Sequence, residues 1–473
     1  MPEIKKTIMT CLGAAAMVIA LGQPADAYMA AKNIILMISD GQGFNTVKAT
    51  EYYSGTKAVY ESFSVRGSMN TSSAGKLGSY VGKPYDSGQM WTNFNYQKSG
   101  ATDSSSAATA MYSGVKIYDN QMNKTTTGAD LTTFFEKVAG QGKATGAVST
   151  VNFNHATPAA VVAKTTNRND YNAITNQMIQ SKLNVIMGAG HPLYDNDGQS
   201  VSVAADYGIV GSKANWDAMV SGANGRSFIE HKSQFEALAN GTMIVDKVFG
   251  VAQVRDTLQD SRSGVPASSR NSSVPDLATM TKAALNVLDN DADGFAVMIE
   301  GGAVDWANHA NNLQRAIDEE IDFNNAVQSV VDYLNAGTSG NDLSNTLLIV
   351  TADHECGALW GPETGVFNQV VDNGVGSLPG AAYNSGSHTN ALVPFYAEGA
   401  DAGLFLSYLT GSDPDMAAMY GIDAAFNWYI DNTDIFKVMD AANAAPVPIP
   451  ASVLLLAPGF GGLLIMRRKW TNT

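Results

Sequence analysis

Three acidic residues close short apolar runs. Asp40 ends Asn33-Ile-Ile-Leu-Met-Ile-Ser and is followed by Gly41, Glu300 ends Gly294-Phe-Ala-Val-Met-Ile, and Asp353 ends Thr346-Leu-Leu-Ile-Val-Thr-Ala with His354 directly behind it. One such carboxylate can simply cap the next segment. Three of them, gathered where strands of one sheet stop, repel one another, and bound cations relieve that cost. Asp305 and His309 follow Glu300 at i, i+4 spacing, which on a helix puts carboxylate and imidazole on one face. His388 lies in a Ser-Gly-Ser loop ahead of another apolar run, and four of the six histidines (His155, His309, His354 and His388) fall in blocks of this kind. Mixed nitrogen and oxygen donors suit zinc, and an all-oxygen corner suits magnesium.

Thr102-Asp103-Ser104-Ser105-Ser106 opens an alanine-rich segment. A serine run there is either a helix cap or a nucleophile whose neighbouring backbone N–H groups meet an incoming phosphate. His155-Ala-Thr157-Pro158 ends another apolar run; Pro158 fits a first helical turn, which leaves Thr157 as either an N-cap or a ligand. Arg168 offers a planar fork for phosphate oxygens, or else a solvated charge.

The elements that must position these residues are legible in outline. Asn33–Ser39, Gly146–Val151, Val185–Met187, Gly294–Ile299, Thr346–Thr351 and Val393–Ala397 read as strands buried on both faces. Helical patterns at Asp130–Ala139, Asp276–Leu288 and Leu313–Leu334 alternate with them. The expectation is an α/β three-layer sandwich around a largely parallel sheet, with sites at the carboxyl ends of the strands. The stretch from 191 to 273, rich in Gly, Asn, Asp and Ser, reads as an irregular insertion over one edge; His191 and His231 in it read as packing or surface histidines.

In this order, the blocks around Asp40, Ser104, His155, Glu300, Asp305, Asp353 and His388 resemble the motifs of the alkaline phosphatases, over about residues 33–399. That resemblance implies metal-dependent hydrolysis of phosphate monoesters through a phosphoserine intermediate, with Ser104 as nucleophile and Arg168 on the phosphate. It implies one zinc on Asp305, His309 and His388, a second on Asp40, Asp353 and His354, and a magnesium on Asp40, Thr157 and Glu300. A small phosphate ester is the implied substrate, and a homodimer is an allowed assembly. Asp103 adjoins the nucleophile. His155 and Trp306 stand where the enteric members of the family carry aspartate and lysine, which bears on the third metal and on phosphate affinity. A phosphodiesterase or sulfatase of the same metal fold is the nearest alternative.

Composition narrows the field further. With 29 Lys+Arg against 44 Asp+Glu the net charge is −15, which excludes a general nucleic-acid binder. Residues 1–27 follow the order of a secretory signal: Lys5 and Lys6, an apolar run from Ile8 to Leu21, then Ala25-Asp-Ala27. The catalytic domain is expected from 28 to 440, exported to the periplasm or surface of a Gram-negative cell. Residues 441–473 carry Val447-Pro-Ile-Pro450, an apolar stretch from Ala451 to Met466 and Arg467-Arg-Lys469, which resembles a Pro-Glu-Pro-type sorting tail that anchors in a membrane until a sorting protease cuts it. Cys11 leaves with the leader, so Cys356 remains alone and no internal disulfide is expected. Asp289-Asn-Asp-Ala-Asp293-Gly294 with Glu300 satisfies an EF-hand loop expression and raises a calcium-binding surface protein as a rival, although Phe295–Ile299 reads as a buried strand where such a loop must be open.

Overall fold

The structure is a computed structural model that describes residues 31–263, 269–337 and 339–444. The expected signal peptide and the apolar stretch of the expected tail lie outside the described residues. The last helix, Thr433–Asn443, runs three residues past the boundary expected at 440. Among the described residues, no helix is long and apolar enough to cross a membrane.

Eleven strands form one sheet. In chain order they are β1 (Asn33–Ser39), β2 (Val65–Asn70), β3 (Ala144–Asn152), β4 (Val185–Ala189), β5 (Ser227–Ile229), β6 (Val248–Val251), β7 (Phe295–Gly301), β8 (Thr346–Thr351), β9 (Val393–Gly399), β10 (Gly411–Ser412) and β11 (Trp428–Asp431). Their order across the sheet is β10-β11-β2-β9-β8-β1-β7-β3-β4-β6-β5. From β8 to β5 every pairing is parallel, and β9 runs antiparallel to both β8 and β2.

The central strands are apolar throughout because both their faces are covered. In β1, Ile34, Leu36 and Ile38 enter the core on one face, against Met111, Tyr112, Phe134 and Val438 of the helices Ser104–Ser113, Phe134–Gly140 and Thr433–Asn443. Ile35 and Met37 face the other way, toward Phe44, Met280, Phe323 and Val327 of Phe44–Ser54, Leu277–Leu288 and Leu313–Ala336. The three-layer α/β sandwich read from the sequence is the observed fold.

Three details differ from the expectation. The helix expected from Asp130 starts at Phe134, because Thr133 and Glu136 close a reciprocal capping box there. The stretch 191–273 is less irregular than expected, since it contributes β5 and β6 to the sheet and thereby extends its edge. The strand β2 has no counterpart in the sequence pattern, because Val65-Arg-Gly-Ser-Met-Asn70 has no apolar run or clean alternation.

Four neighbouring strands, β8-β1-β7-β3, end on the same side and deliver Asp353, Asp40, Glu300 and His155 there. Gly41 ties them together. Its N–H donates to Asp353 Oδ1 at 3.2 Å, and its carbonyl accepts from Cys356 N and Asn308 Nδ2, each at 3.1 Å. It sits at φ +78, and a Cβ there would lie 2.6 Å from Asp305 Cα. Backbone strain and a clash with the helix Ala303–His309 therefore coincide at one residue. Gly41→Ala is expected to cost at least about 2 kcal/mol in a denaturant titration and to lower metal content in the same preparation, since Asp305 must move.

Candidate active site

Asp103 caps the helix Ser104–Ser113 and sorts the three serines. Its carboxylate accepts from Ser106 N at 3.0 Å, Ser106 Oγ at 2.7 Å and Ser105 Oγ at 2.8 Å, which turns those two hydroxyls inward. Ser104 Oγ is left facing His354 Nε2 at 3.3 Å. The same His354 nitrogen lies 3.2 Å from Asp353 Oδ2 and 3.5 Å from Asp40 Oδ1. Asp103 also accepts from Arg168 at 2.9 Å, so it holds the guanidinium while it caps the serine helix.

On the other side of His354, whose ring stacks on that of His388 with centroids 3.5 Å apart, two histidines converge on Asp305. His388 Nδ1 donates to the Thr102 carbonyl at 2.9 Å and His309 Nδ1 to the Gly386 carbonyl at 2.7 Å. A carbonyl only accepts, so both rings carry their proton on Nδ1 and turn Nε2 inward. Those two Nε2 atoms are 3.0 Å apart and lie 3.3 and 3.4 Å from the Asp305 carboxylate. Two lone pairs and a carboxylate at such range repel unless a cation or an extra proton sits among them.

A third group lies beneath. Ser149 Oγ donates to Glu300, whose other oxygen, Oε1, is buried without a hydrogen-bond partner. Thr157 Oγ1, His155 Nδ1, Asp353 Oδ2, Asp305 Oδ1 and both oxygens of Asp40 are likewise buried and unpartnered. Buried polar atoms are almost always paired. Unpartnered carboxylate, hydroxyl and imidazole atoms are the donors a cation takes, so the side chains present fit the metals that the sequence implied. Asp40, Asp305 and His354 offer donors within 4.8 Å of one another, and so do Asp305, His309, His388 and Cys356.

Electrostatics agree with a site built for positive charge. Burial, then the neighbouring carboxylates, raises Asp40 well above the carboxylate range, raises Asp353 to about 6, and raises Glu300 to about 8. Burial would lower His388, but Asp305 opposite lifts it to about 9. Burial would likewise raise Asp103, but Arg168 together with the hydrogen bonds from Ser106 and Ser105 more than offsets it, leaving the carboxyl at about 2.

A cleft of about 730 Å³ opens over these groups, lined by Ser104, His155, Arg168, Asp260, Asp305, Trp306, His309 and His388. His155 and Trp306 meet edge to face at 5.7 Å. The chain matches the family model described as alkaline phosphatase over residues 31–371. The chain belongs to the alkaline phosphatase family. It is 28% identical to the alkaline phosphatase of Escherichia coli K12 over 451 residues, covering 87% of this chain and 86% of that enzyme. It is 28% identical over 349 residues to alkaline phosphatase 3 of Bacillus subtilis, covering 71% of this chain and 64% of that one. The alkaline phosphatase structure from the Antarctic bacterium TAB5 shares the fold at a TM-score of 0.58 and 24% identity, covering 88% of this chain and 98% of that chain. Members of this family are metal-dependent phosphomonoester hydrolases, and the metal-binding character of the site accords with that class.

The structure brings Ser104, His155, Arg168, Asp305, Trp306, His309 and His388 to one cleft, with Asp40, Asp353 and His354 against Ser104 and Asp103 on Arg168. It also corrects one detail and adds two residues. His155, not Thr157, is the N-cap of the short helix Ala156–Ala159, and Thr157 lies inside its first turn. Asp260 lines the cleft from the stretch given no chemistry, where nothing in its surroundings marks it. Cys356 adjoins Asp305, His309 and His388, and its position two residues after His354 was the signal available. His191, buried between Tyr194 and Trp216, is a packing histidine, and His231 is exposed. Glu300 ends a fully buried strand that starts beyond Gly294, so no EF-hand loop can wrap from Asp289 to it.

Without a bound cation, burial and the neighbouring carboxylates push Glu300 up from its ordinary 4.5 to about 8. The folded state therefore holds the extra proton, and the stability present below 4.5 is lost as pH rises through about 8. Asp353, raised from 3.8 to about 6, adds the same sign at lower pH. Melting temperature of chelator-treated protein should fall by several degrees between pH 5 and pH 8, a loss of a few kcal/mol, while metal-loaded protein stays level over that range.

Proposed function

We propose that this chain hydrolyses small phosphate monoesters by two successive in-line displacements at phosphorus, with Ser104 as the nucleophile. The observation that carries the reading is the isolation of Ser104 Oγ: of three consecutive hydroxyls it alone faces His354, in a cleft that Arg168 also lines. The charge pattern supports Asp305, His309 and His388 as holders of one zinc, Asp40, Asp353 and His354 of a second, and Asp40, Thr157 and Glu300 of a magnesium. Bound there, the metals supply the positive charge that lowers the serine hydroxyl's pKa and stabilises attacking and leaving oxygens alike.

The side chains divide the remaining work. Arg168, fixed by Asp103, presents its planar fork to two non-bridging phosphate oxygens. Ser104 Oγ gives up its proton to solvent and bonds to phosphorus as the bond to the leaving oxygen breaks, and that oxygen takes a proton from solvent, giving a phosphoserine and the free alcohol. Water then attacks phosphorus, the bond to Ser104 Oγ breaks, a proton equivalent to the one the water loses returns to Ser104 Oγ through solvent, and inorganic phosphate is released. The first turn of the serine helix points backbone N–H groups toward the bound anion. Export, with residues 1–27 as leader and 441–473 as a membrane-anchoring, protease-processed tail in a Gram-negative envelope, rests on the sequence patterns at the two ends; the domain limits 28–440 and a homodimeric state belong to the same reading.

Chelation should abolish turnover of a chromogenic monoester, and zinc with magnesium should restore it. Ser104→Ala should keep its metals and lose at least about a thousandfold in kcat, with no labelled phosphoenzyme. Label recovered on Ser105 or Ser106 contradicts the assignment, and faster turnover of a diester or sulfate ester than of the monoester contradicts the substrate class.

His155 carries a further consequence. Its buried Nδ1 has no hydrogen-bond partner, the residue precedes Thr157 by two positions, and Trp306 beside it puts no ammonium near the phosphate. Variants of the TAB5 enzyme with a histidine replaced by glutamate or aspartate have Mg bound in their M3 site. An imidazole favours zinc or cobalt over magnesium at such a position. The double variant His155→Asp with Trp306→Lys should need added magnesium for full rate and show a lower inhibition constant for inorganic phosphate. Unchanged values for both would leave these side chains as packing neighbours.

A further inference from the structure

Cys356 has no role in the chemistry above, yet it is fully buried against it. It lies in the short strand Glu355–Cys356, which pairs antiparallel with His388–Thr389 so that Cys356 stands opposite His388. Its N–H donates to the Gly41 carbonyl at 3.1 Å, which fixes the backbone beside Asp305. Its Sγ, a carboxylate oxygen of Asp305 and ring nitrogens of His309 and His388 all lie within 4.8 Å of one another. A tetrahedral zinc with bonds of about 2.0–2.3 Å sets its donors roughly 3.3–3.8 Å apart, so a small adjustment lets all four share one ion.

A buried cysteine is ordinarily a small hydrophobe. Two features set this one apart. Its neighbours are a carboxylate and two imidazoles, and Asp305 Oδ1, on a side chain only 7% exposed, is buried without a hydrogen-bond partner. Both histidines have their Nδ1 protons committed to carbonyls, which leaves Nε2 as the atom each can offer.

We propose that Cys356 Sγ is a fourth protein donor to the ion held by Asp305, His309 and His388, an inference that rests on the assignment of those three residues to one metal. The thiol loses its proton to solvent as the sulfur–metal bond forms, with no change of oxidation state. Three protein donors leave zinc a fourth position for substrate, whereas four require it to become five-coordinate when substrate arrives. Thiolate also biases this site toward soft ions such as zinc and cadmium, and away from magnesium and manganese.

The test uses the full protein loaded with cobalt or cadmium, read by spectroscopy rather than turnover. Cobalt-loaded wild type should show a near-ultraviolet sulfur-to-cobalt charge-transfer band, and cadmium NMR should show one strongly deshielded, thiolate-ligated site. Cys356→Ser should lose both signals, release one proton fewer per chain on metal binding, and bind that ion at least about tenfold more weakly. Absence of both signals in the wild type overturns the proposal however the variant folds, and leaves the thiol as a neighbour of Asp305. The His388→Ala variant separates the two levels: unchanged metal content in it overturns the three-residue assignment itself, while reduced content with no sulfur signal in the wild type overturns only the thiolate.

Discussion

Mutual repulsion among Asp40, Glu300, Asp305 and Asp353 is the constraint around which the fold is arranged. These four carboxylates, from three adjacent parallel strands and the helix after one of them, are buried close enough that each perturbs the others. An apolar sheet cannot hold that much negative charge in low dielectric without compensation. The protein supplies little of its own: one arginine, committed to Asp103, and imidazoles that are neutral when ready to bind metal. The balance has to come from ions, so the stability of the sheet's carboxyl edge and the reactivity of Ser104 depend on the same bound charge.

The surrounding hydrogen bonds serve that arrangement by fixing direction rather than adding strength. Thr102 and Gly386 carbonyls set the tautomers of His388 and His309, and Asp103 spends its acceptors on Ser105, Ser106, Asn120 and Arg168. Each contact removes an alternative: a ring that could flip, a serine that could compete, a guanidinium that could swing into solvent. Preorganisation of this kind lets a site act on a substrate without first rearranging itself.

Much of this was legible in the chain because burial and chemistry leave separate marks. A strand covered on both faces is written as an uninterrupted apolar run, and a carboxylate at its end stands out, as at Asp40 and Asp353. Ser104 was legible only as one of three, since the choice depends on which hydroxyls Asp103 captures, a matter of helix geometry. Thr157 as against His155 at the helix start turned on backbone angles that Pro158 constrains but does not settle. Asp260 was invisible because its place on the cleft wall depends on how the stretch 191–273 folds back onto the sheet. The strands β2 and β11 owe their pairing to neighbours on both sides rather than to their own pattern.

The position of β1 governs when the molecule can become itself. It lies between β7 and β8, and its first residue, Asn33, is hydrogen-bonded to Thr346, 313 positions away. A ribosome therefore delivers the middle strand of the sheet first and its two flanking strands only about 260 and 310 residues later. Through most of synthesis that strand has no partner on either side, and loop closure over such a span is slow. The chain must pass a long interval as an unpaired apolar segment exposed to misassociation, and the first acid of the metal cluster waits at its end. Assembly of the catalytic edge is thus a late event in folding, which makes metal capture the closing step of maturation rather than its nucleus.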